Sequence, residues 1–258
     1  MLSVAGDILN WLIAGVVFPL MFLPIAVLAG RGQKAMTLWL AILTAAVLSG
    51  AVFVWLTPSL SAAPSLQQGA IFFATVMGLT LLLVVMGGPE AAIDKLSPVI
   101  KIIVRLAAHT VMWLLLAMAL IQFGVVILRY VFGINYIFMQ ESALYMHGAV
   151  FMLAAGYALA TDDHVRVDIF YSTASPKRKA LIDFLGTYLL LFPICLLLLW
   201  TASPYVGNSW AVFEGSTERS GIQGVFVLKS LIPIFALLIA MAGFNIAVRA
   251  GDVLRARG

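Results

Sequence analysis

Long apolar stretches separated by short polar segments repeat along the whole chain. Each is roughly 20 residues or longer, which as an α-helix is enough to cross about 30 Å of hydrocarbon. The stretches are continuous and lack the alternation of a lipid-facing strand, so we expect helices to do the spanning. The pattern predicts seven transmembrane helices, at residues 8–29, 35–57, 66–87, 104–131, 141–161, 181–203 and 228–249.

The composition supports this interpretation. Hydrophobic residues make up 63% of the 258 residues, charged residues make up 10%, and the mean hydropathy is +1.09. A soluble core cannot bury that much apolar surface, so the chain is predicted to be an all-α integral membrane protein with about seven transmembrane helices. The net charge of +4 does not indicate a nucleic-acid partner, because the Lys and Arg residues lie between the predicted spans.

The distribution of basic residues predicts the orientation. Twelve of the fifteen Lys and Arg residues fall on one side of the membrane, and three, Arg129, Arg219 and Lys229, fall on the other. Basic residues are retained in the cytoplasm, so the N-terminus is expected outside and the C-terminus inside. The first 30 residues lack a basic segment before their apolar run, so we interpret them as a retained first span.

A change of composition divides the chain. The segment "GGPEAAIDKLSPVIK", residues 87–101, mixes Gly, Pro and acidic residues with apolar ones at helical spacing. It predicts either a short amphipathic piece in the membrane interface or a plain connecting loop. The expected organisation is three extra transmembrane helices in 1–88, an interfacial connecting segment in 89–103, and a four-helix domain in 104–258.

Charged residues concentrate at helix ends. Arg129 and Glu141 flank the predicted loop "RYVFGINYIFMQE", where they are expected to brace a tight hairpin or, alternatively, to form a binding ring. A second group lies in "DDHVRVDIFYSTASPKRK", residues 162–179. There, Ser175 and Pro176 predict a helix N-cap and first turn, which would place Lys177, Arg178 and Lys179 at the lipid headgroups.

Signatures of catalysis are absent from the sequence. The chain has no HExxH motif, no glycine-rich phosphate loop and no cysteine cluster, and its single cysteine, Cys195, is interpreted as a buried apolar residue. We therefore predict no enzyme activity, no metal and no cofactor. One alternative stays open: an autonomous seven-helix permease or sensor with its site among His109, Gln122, His147 and Asn245.

Two segments together resemble a known family. In Leu128 to Tyr171, an Arg at a helix end is followed by a Glu opening the next helix, the small-residue run "LAAGYAL", and His164, Arg166, Val167 and Asp168 in order. The later segment from Ser209 to Leu238 resembles the same family's final outer loop and last helix. The chain is similar to the small membrane subunit, the DctQ type, of tripartite ATP-independent periplasmic (TRAP) transporters, in a long form with extra N-terminal helices.

The resemblance implies a function and partners. In that family, the small subunit is a non-catalytic scaffold in the bacterial inner membrane. It pairs with a large, DctM-type membrane subunit that binds substrate and moves, driven by a sodium gradient, while a periplasmic binding protein delivers an organic acid. The corner from His164 to Asp168 is then expected to be structural, with Arg166 and Asp168 paired with each other, with lipid headgroups or with the partner subunit.

Overall fold

The computed structural model describes residues 13–56, 66–165, 169 and 171–256. Within these residues, all regular structure is helical, which confirms the predicted fold class. The helices, in chain order, are α1 (Phe18–Met21), α2 (Leu23–Ala29), α3 (Gln33–Leu56), α4 (Leu66–Val85), α5 (Pro89–Val131), α6 (Ile137–Thr161), α7 (Pro176–Gly186), α8 (Phe192–Ala211) and α9 (Val225–Arg255). Short π-helical turns at Ile13–Val17 and Thr187–Leu191 precede α1 and join α7 to α8.

Four helical runs in the described residues are long and apolar enough to cross a membrane. They are Pro89–Val131, Ile137–Thr161, Pro176–Ala211 and Val225–Arg255, and they coincide with the last four predicted spans. The N-terminal helices are apolar but include shorter pieces, and they are compatible with the first three predicted spans. The number of crossings there, and the orientation of the termini, stay predictions.

The segment predicted to connect two parts of the chain is helical. α5 runs for 43 residues, about 65 Å, and includes residues 89–103 without a break. Pro98 lies inside this helix, where it removes one backbone hydrogen bond and crowds the carbonyl of residue 94, yet the helix continues past it. The reversal between α4 and α5 falls instead at Gly87 and Gly88, whose φ angles of 95° and 101° favour glycine.

The described residues divide into two compact units. The first unit contains residues 100–165 and 193–243. In this unit, Gly156 of α6 is buried and lies against Leu238 of α9. A Cβ atom at position 156 would lie 2.8 Å from the Leu238 Cβ and 3.1 Å from its carbonyl carbon and oxygen. The small residue therefore permits α6 and α9 to approach closely.

The second unit contains the N-terminal helices, the start of α5 up to residue 99, and residues 169, 171–192 and 244–256. Its core joins these segments: Ala180 and Phe184 of α7 pack with Ala247 and Ala250 of α9, and Ile25 of α2 packs against this cluster. α2 thus shares a core with α7 and α9.

Hydrogen bonding also holds the N-terminal helices of this unit together. Trp39 of α3 is completely buried and donates its indole N–H to the Pro19 carbonyl oxygen at 2.9 Å. This bond joins α3 to α1 and uses the only polar group of a large apolar side chain.

Candidate functional site

The loop between α5 and α6 does not contain the expected ion pair. Arg129 is exposed near the end of α5, and among the described residues it makes no salt bridge with Glu141. The hairpin is held instead by a bond between neutral side chains, in which the Gln140 amide donates to Asn135 Oδ1 at 2.6 Å. Arg129 therefore faces the surroundings of the chain.

Glu141 instead binds the loop that precedes α9. Its Oε1 accepts a hydrogen bond from Ser216 Oγ at 2.5 Å, and its Oε2 accepts one from the Ile222 N–H at 2.6 Å. The Ser216 N–H also donates to the Ile222 carbonyl at 3.1 Å, which closes the loop between them. Both carboxylate oxygens are thus used to fix residues 216–222. We call this arrangement the Glu141 clamp.

The clamp leaves no room for a side chain at Gly221. A Cβ atom there would lie 2.3 Å from Ser216 Oγ and 2.6 Å from Glu141 Oε2. Both distances are shorter than real Cβ contacts, and both neighbouring atoms are already held by hydrogen bonds. The "SGIQG" segment therefore packs directly on the carboxylate.

An ion pair also stabilises the loop before α9. Lys229 Nζ donates to Glu214 Oε2 at 2.5 Å and lies 4.1 Å from the centre of the Tyr205 ring. The hydrogen bond from Lys229, with a smaller contribution from Ser209, holds the pKa of the Glu214 carboxyl below its usual value of 4.5. Trp210 of α8 donates its indole N–H to Ser230 Oγ of α9 at 2.8 Å.

The predicted corner after α6 is described only in part. Asp162 ends α6 with a left-handed φ of 65°, and His164 Nδ1 lies 3.9 Å from Asp162 Oδ1. Arg166 and Asp168 lie outside the described residues, so their pairing stays a prediction.

The start of α7 follows the sequence prediction. Ser175 is the N-cap, accepting the Arg178 N–H at 3.4 Å, and Pro176 is the first helical residue. Lys177 and Arg178 are exposed, whereas Lys179 is half-buried with its Nζ 5.3 Å from the centre of the Tyr171 ring. The local geometry is confirmed, and the contact of these three residues with lipid headgroups stays a prediction.

Sequence reasoning missed Tyr188, which completes a broken helix in the second unit. Its hydroxyl donates to the Met21 carbonyl at 2.9 Å and accepts the Ile25 N–H at 3.1 Å. In a continuous α-helix those two backbone groups would bond to each other, so the hydroxyl is inserted into the ladder where α1 gives way to α2. In the sequence, Pro19 and Pro24 predict a kink in this segment. They do not indicate that the Tyr188 hydroxyl bonds at the kink.

Three further polar contacts in this unit, made by Arg255 and Ser97, were also missed. Arg255, near the end of α9, donates to the Gly30 carbonyl at 3.0 Å and lies 3.6 Å from Glu90 Oε1. Ser97 of α5 donates to Asn245 Oδ1 at 2.6 Å. All three contacts join segments far apart in sequence, so no local pattern indicates them.

The four residues of the alternative permease site differ in burial and in bonding. Asn245 is buried and bound by Ser97, whereas Gln122 and His147 are exposed on α5 and α6. His109 is exposed and bonds through Nδ1 to the Arg105 carbonyl of its own helix at 2.8 Å. Across residues 13–56, 66–165, 169 and 171–256, no group of three or more His, Cys, Asp or Glu side chains is placed to hold a metal ion.

These features define a multi-pass helical membrane protein, and a family model assigns it more narrowly. The model of "Tripartite ATP-independent periplasmic transporters, DctQ component" matches residues 118–251, just over half of the 258-residue chain. The chain belongs to this family, which confirms the resemblance drawn from the motifs. The match begins within α5 and ends in α9, so it includes the Glu141 clamp. No curated protein and no solved structure gives a significant match.

Proposed function

We propose that this chain is the non-catalytic scaffold subunit of a sodium-coupled, binding-protein-dependent secondary transporter that imports organic acids. Its partners are a large DctM-type membrane subunit, which binds and moves the substrate, and a periplasmic binding protein. The observation that carries the proposal is the match of residues 118–251 to the DctQ component of tripartite transporters.

The use of the charged groups in the first unit supports a static role. Both oxygens of Glu141 accept hydrogen bonds from the loop before α9, and Glu214 is bound by Lys229. A carboxylate that coordinates a transported ion must exchange that ion for other ligands during the cycle. Carboxylates that are already bonded within the loop suit a static subunit better than a mobile ion-binding site.

Copurification tests the proposal. The full chain, carrying an affinity tag and coexpressed with a DctM-type subunit, is expected to recover that subunit in stoichiometric amount in a mild detergent. Recovery of the chain alone, from membranes that contain both proteins, would contradict a shared complex.

The corner from His164 to Asp168 is proposed to support this assembly. Arg166→Ala and Asp168→Ala should each lower the yield of the complex, because each leaves a charge without its partner. The charge-swapped double variant should recover part of the yield if the two residues pair together. Lys177→Ala, which removes an exposed charge outside the corner, is the control. Wild-type yield from both single variants would remove the proposed role.

The proposed orientation places the N-terminus in the periplasm and the C-terminus in the cytoplasm. Single cysteines at Ser3 and Ser61 should react with an impermeant thiol reagent in intact cells, whereas one at Ala256 should not. The native Cys195 is buried and serves as the background control. Labelling at Ala256 alone would reverse the topology.

A further inference from the structure

A groove with a volume of about 510 Å³ lies between α5 and α6 in the first unit. Its polar lining comes from Arg105, His109 and Tyr157, and its apolar lining includes Met112 and Ala154. The groove therefore offers a cationic group beside apolar walls. That combination differs from the Glu141 clamp, where the carboxylate is bound by Ser216 and the Ile222 N–H, and from Glu214, which is paired with Lys229.

The cationic end of the groove continues along α5. Lys101, Arg105 and His109 are spaced four residues apart, which places them on one face of the helix with a rise of about 6 Å between neighbours. All three are exposed. Among the described residues, neither Lys101 nor Arg105 forms a salt bridge with an acidic side chain. The two permanent positive charges thus face the surroundings of the chain.

The same face becomes apolar towards the middle of the helix. Met112, Leu116 and Leu120 follow His109 at spacings of three and four residues, and they are 57%, 52% and 64% exposed. No Lys, Arg, Asp or Glu occurs between Arg105 and Arg129. Arg105 therefore marks the end of the apolar part of α5, which is the level of the headgroup phosphates for a spanning helix.

We propose that this groove binds one anionic phospholipid. The headgroup phosphate is held by Arg105 and Lys101, and one acyl chain runs past Met112 and Ala154 along the apolar face of α5. Charge complementarity selects an anionic headgroup, and the apolar lining selects a lipid over a free anion. Arginine binds phosphate oxygens through several N–H groups at once, so Arg105 is expected to contribute most to the affinity.

Lipid titration of the purified full chain, followed by native mass spectrometry, tests this site. We expect one phosphatidylglycerol to remain bound per chain and phosphatidylcholine to bind about tenfold more weakly. Arg105→Gln should weaken phosphatidylglycerol binding about tenfold, because it removes a charge that contacts the phosphate. Lys95→Gln removes the same charge from the same helix outside the groove, and should leave binding unchanged.

A second variant separates the shape of the groove from its charge. Ala154→Leu keeps Arg105 and Lys101 but places a larger side chain in the apolar lining, so it should also displace the lipid. Circular dichroism of each variant shows whether the helices are retained.

Several results would overturn the proposal. They are wild-type binding by folded Arg105→Gln, equal affinity for phosphatidylcholine, and competition by inorganic phosphate at the concentration of the lipid, which would identify a free-anion site. Absence of bound lipid from the complex with the large subunit would assign the groove to a helix of that partner.

Discussion

The hydroxyl of Tyr188 is the most informative single group to remove. It bonds to the Met21 carbonyl at 2.9 Å and the Ile25 N–H at 3.1 Å, at the point where the first helical segment is broken. Tyr188→Phe keeps the ring and its contacts with Phe184 and Phe192, whose ring centres are 4.8 and 5.2 Å away. The change therefore isolates the two hydrogen bonds.

The expected cost follows from what the two backbone groups lose. Each hydrogen bond contributes about 1 kcal/mol net, and leaving a buried backbone group without a partner costs about 1–3 kcal/mol. The Met21 carbonyl and the Ile25 N–H can partly offset this by bonding directly to each other after the hydroxyl is removed. We therefore expect Tyr188→Phe to lower the free energy of unfolding by about 1–3 kcal/mol.

Reversible unfolding of the chain in mixed micelles by increasing denaturant provides the assay. Tyr130→Phe is the matched control, because Tyr130 is 79% exposed and the substitution removes the same hydroxyl. Its free energy of unfolding should stay within about 0.5 kcal/mol of the wild type. Equal stability of Tyr188→Phe and Tyr130→Phe would refute the argument that Tyr188 holds the N-terminal helices in place.

Two other predictions concern the first unit. The lowered pKa of Glu214 means that its bond with Lys229 stabilises the fold fully above the usual value of 4.5 and is lost as the pH falls through the lowered pKa. Thermal unfolding should therefore be measured for the wild type and Glu214→Gln from neutral pH downward. The wild type should be more stable at neutral pH, and the difference in stability should disappear in acid. A difference that stays constant with pH would contradict this. Gly156→Ala should destabilise the chain by about 1–3 kcal/mol because the new Cβ meets Leu238. Gly186→Ala, in open helical space, should be neutral or stabilising by up to about 1 kcal/mol, and equal effects at both positions would argue against close packing at Gly156.

Local features of the fold were predictable because they depend on neighbouring residues. Continuous apolar runs predicted the last four spans, and Ser175 followed by Pro176 predicted the N-cap of α7. The helical structure of residues 89–103 was harder to predict, because Pro98 and the acidic residues suggested an interruption. The helix continues through Pro98, and the turn falls at Gly87 and Gly88, whose positive φ angles favour glycine.

The partners of the polar side chains were not predictable from spacing. Arg129 is the nearest opposite charge to Glu141 along the chain, yet Glu141 binds Ser216 and Ile222, which are 75 and 81 residues away. The carboxylate gains two donors held by the loop, whereas an exposed ion pair contributes little. Tyr188 bonds across 163 and 167 residues, so only the tertiary structure brings it to the helix break.

Reconstitution into proteoliposomes tests the proposed scaffold role most directly. With an inward sodium gradient, vesicles containing only this chain should take up no organic acid. Uptake should appear when the large membrane subunit is incorporated and the periplasmic binding protein is added, because the moving substrate site is proposed to lie in the former and substrate delivery in the latter. Sodium-dependent uptake by vesicles containing this chain alone would contradict the scaffold proposal and favour an autonomous permease.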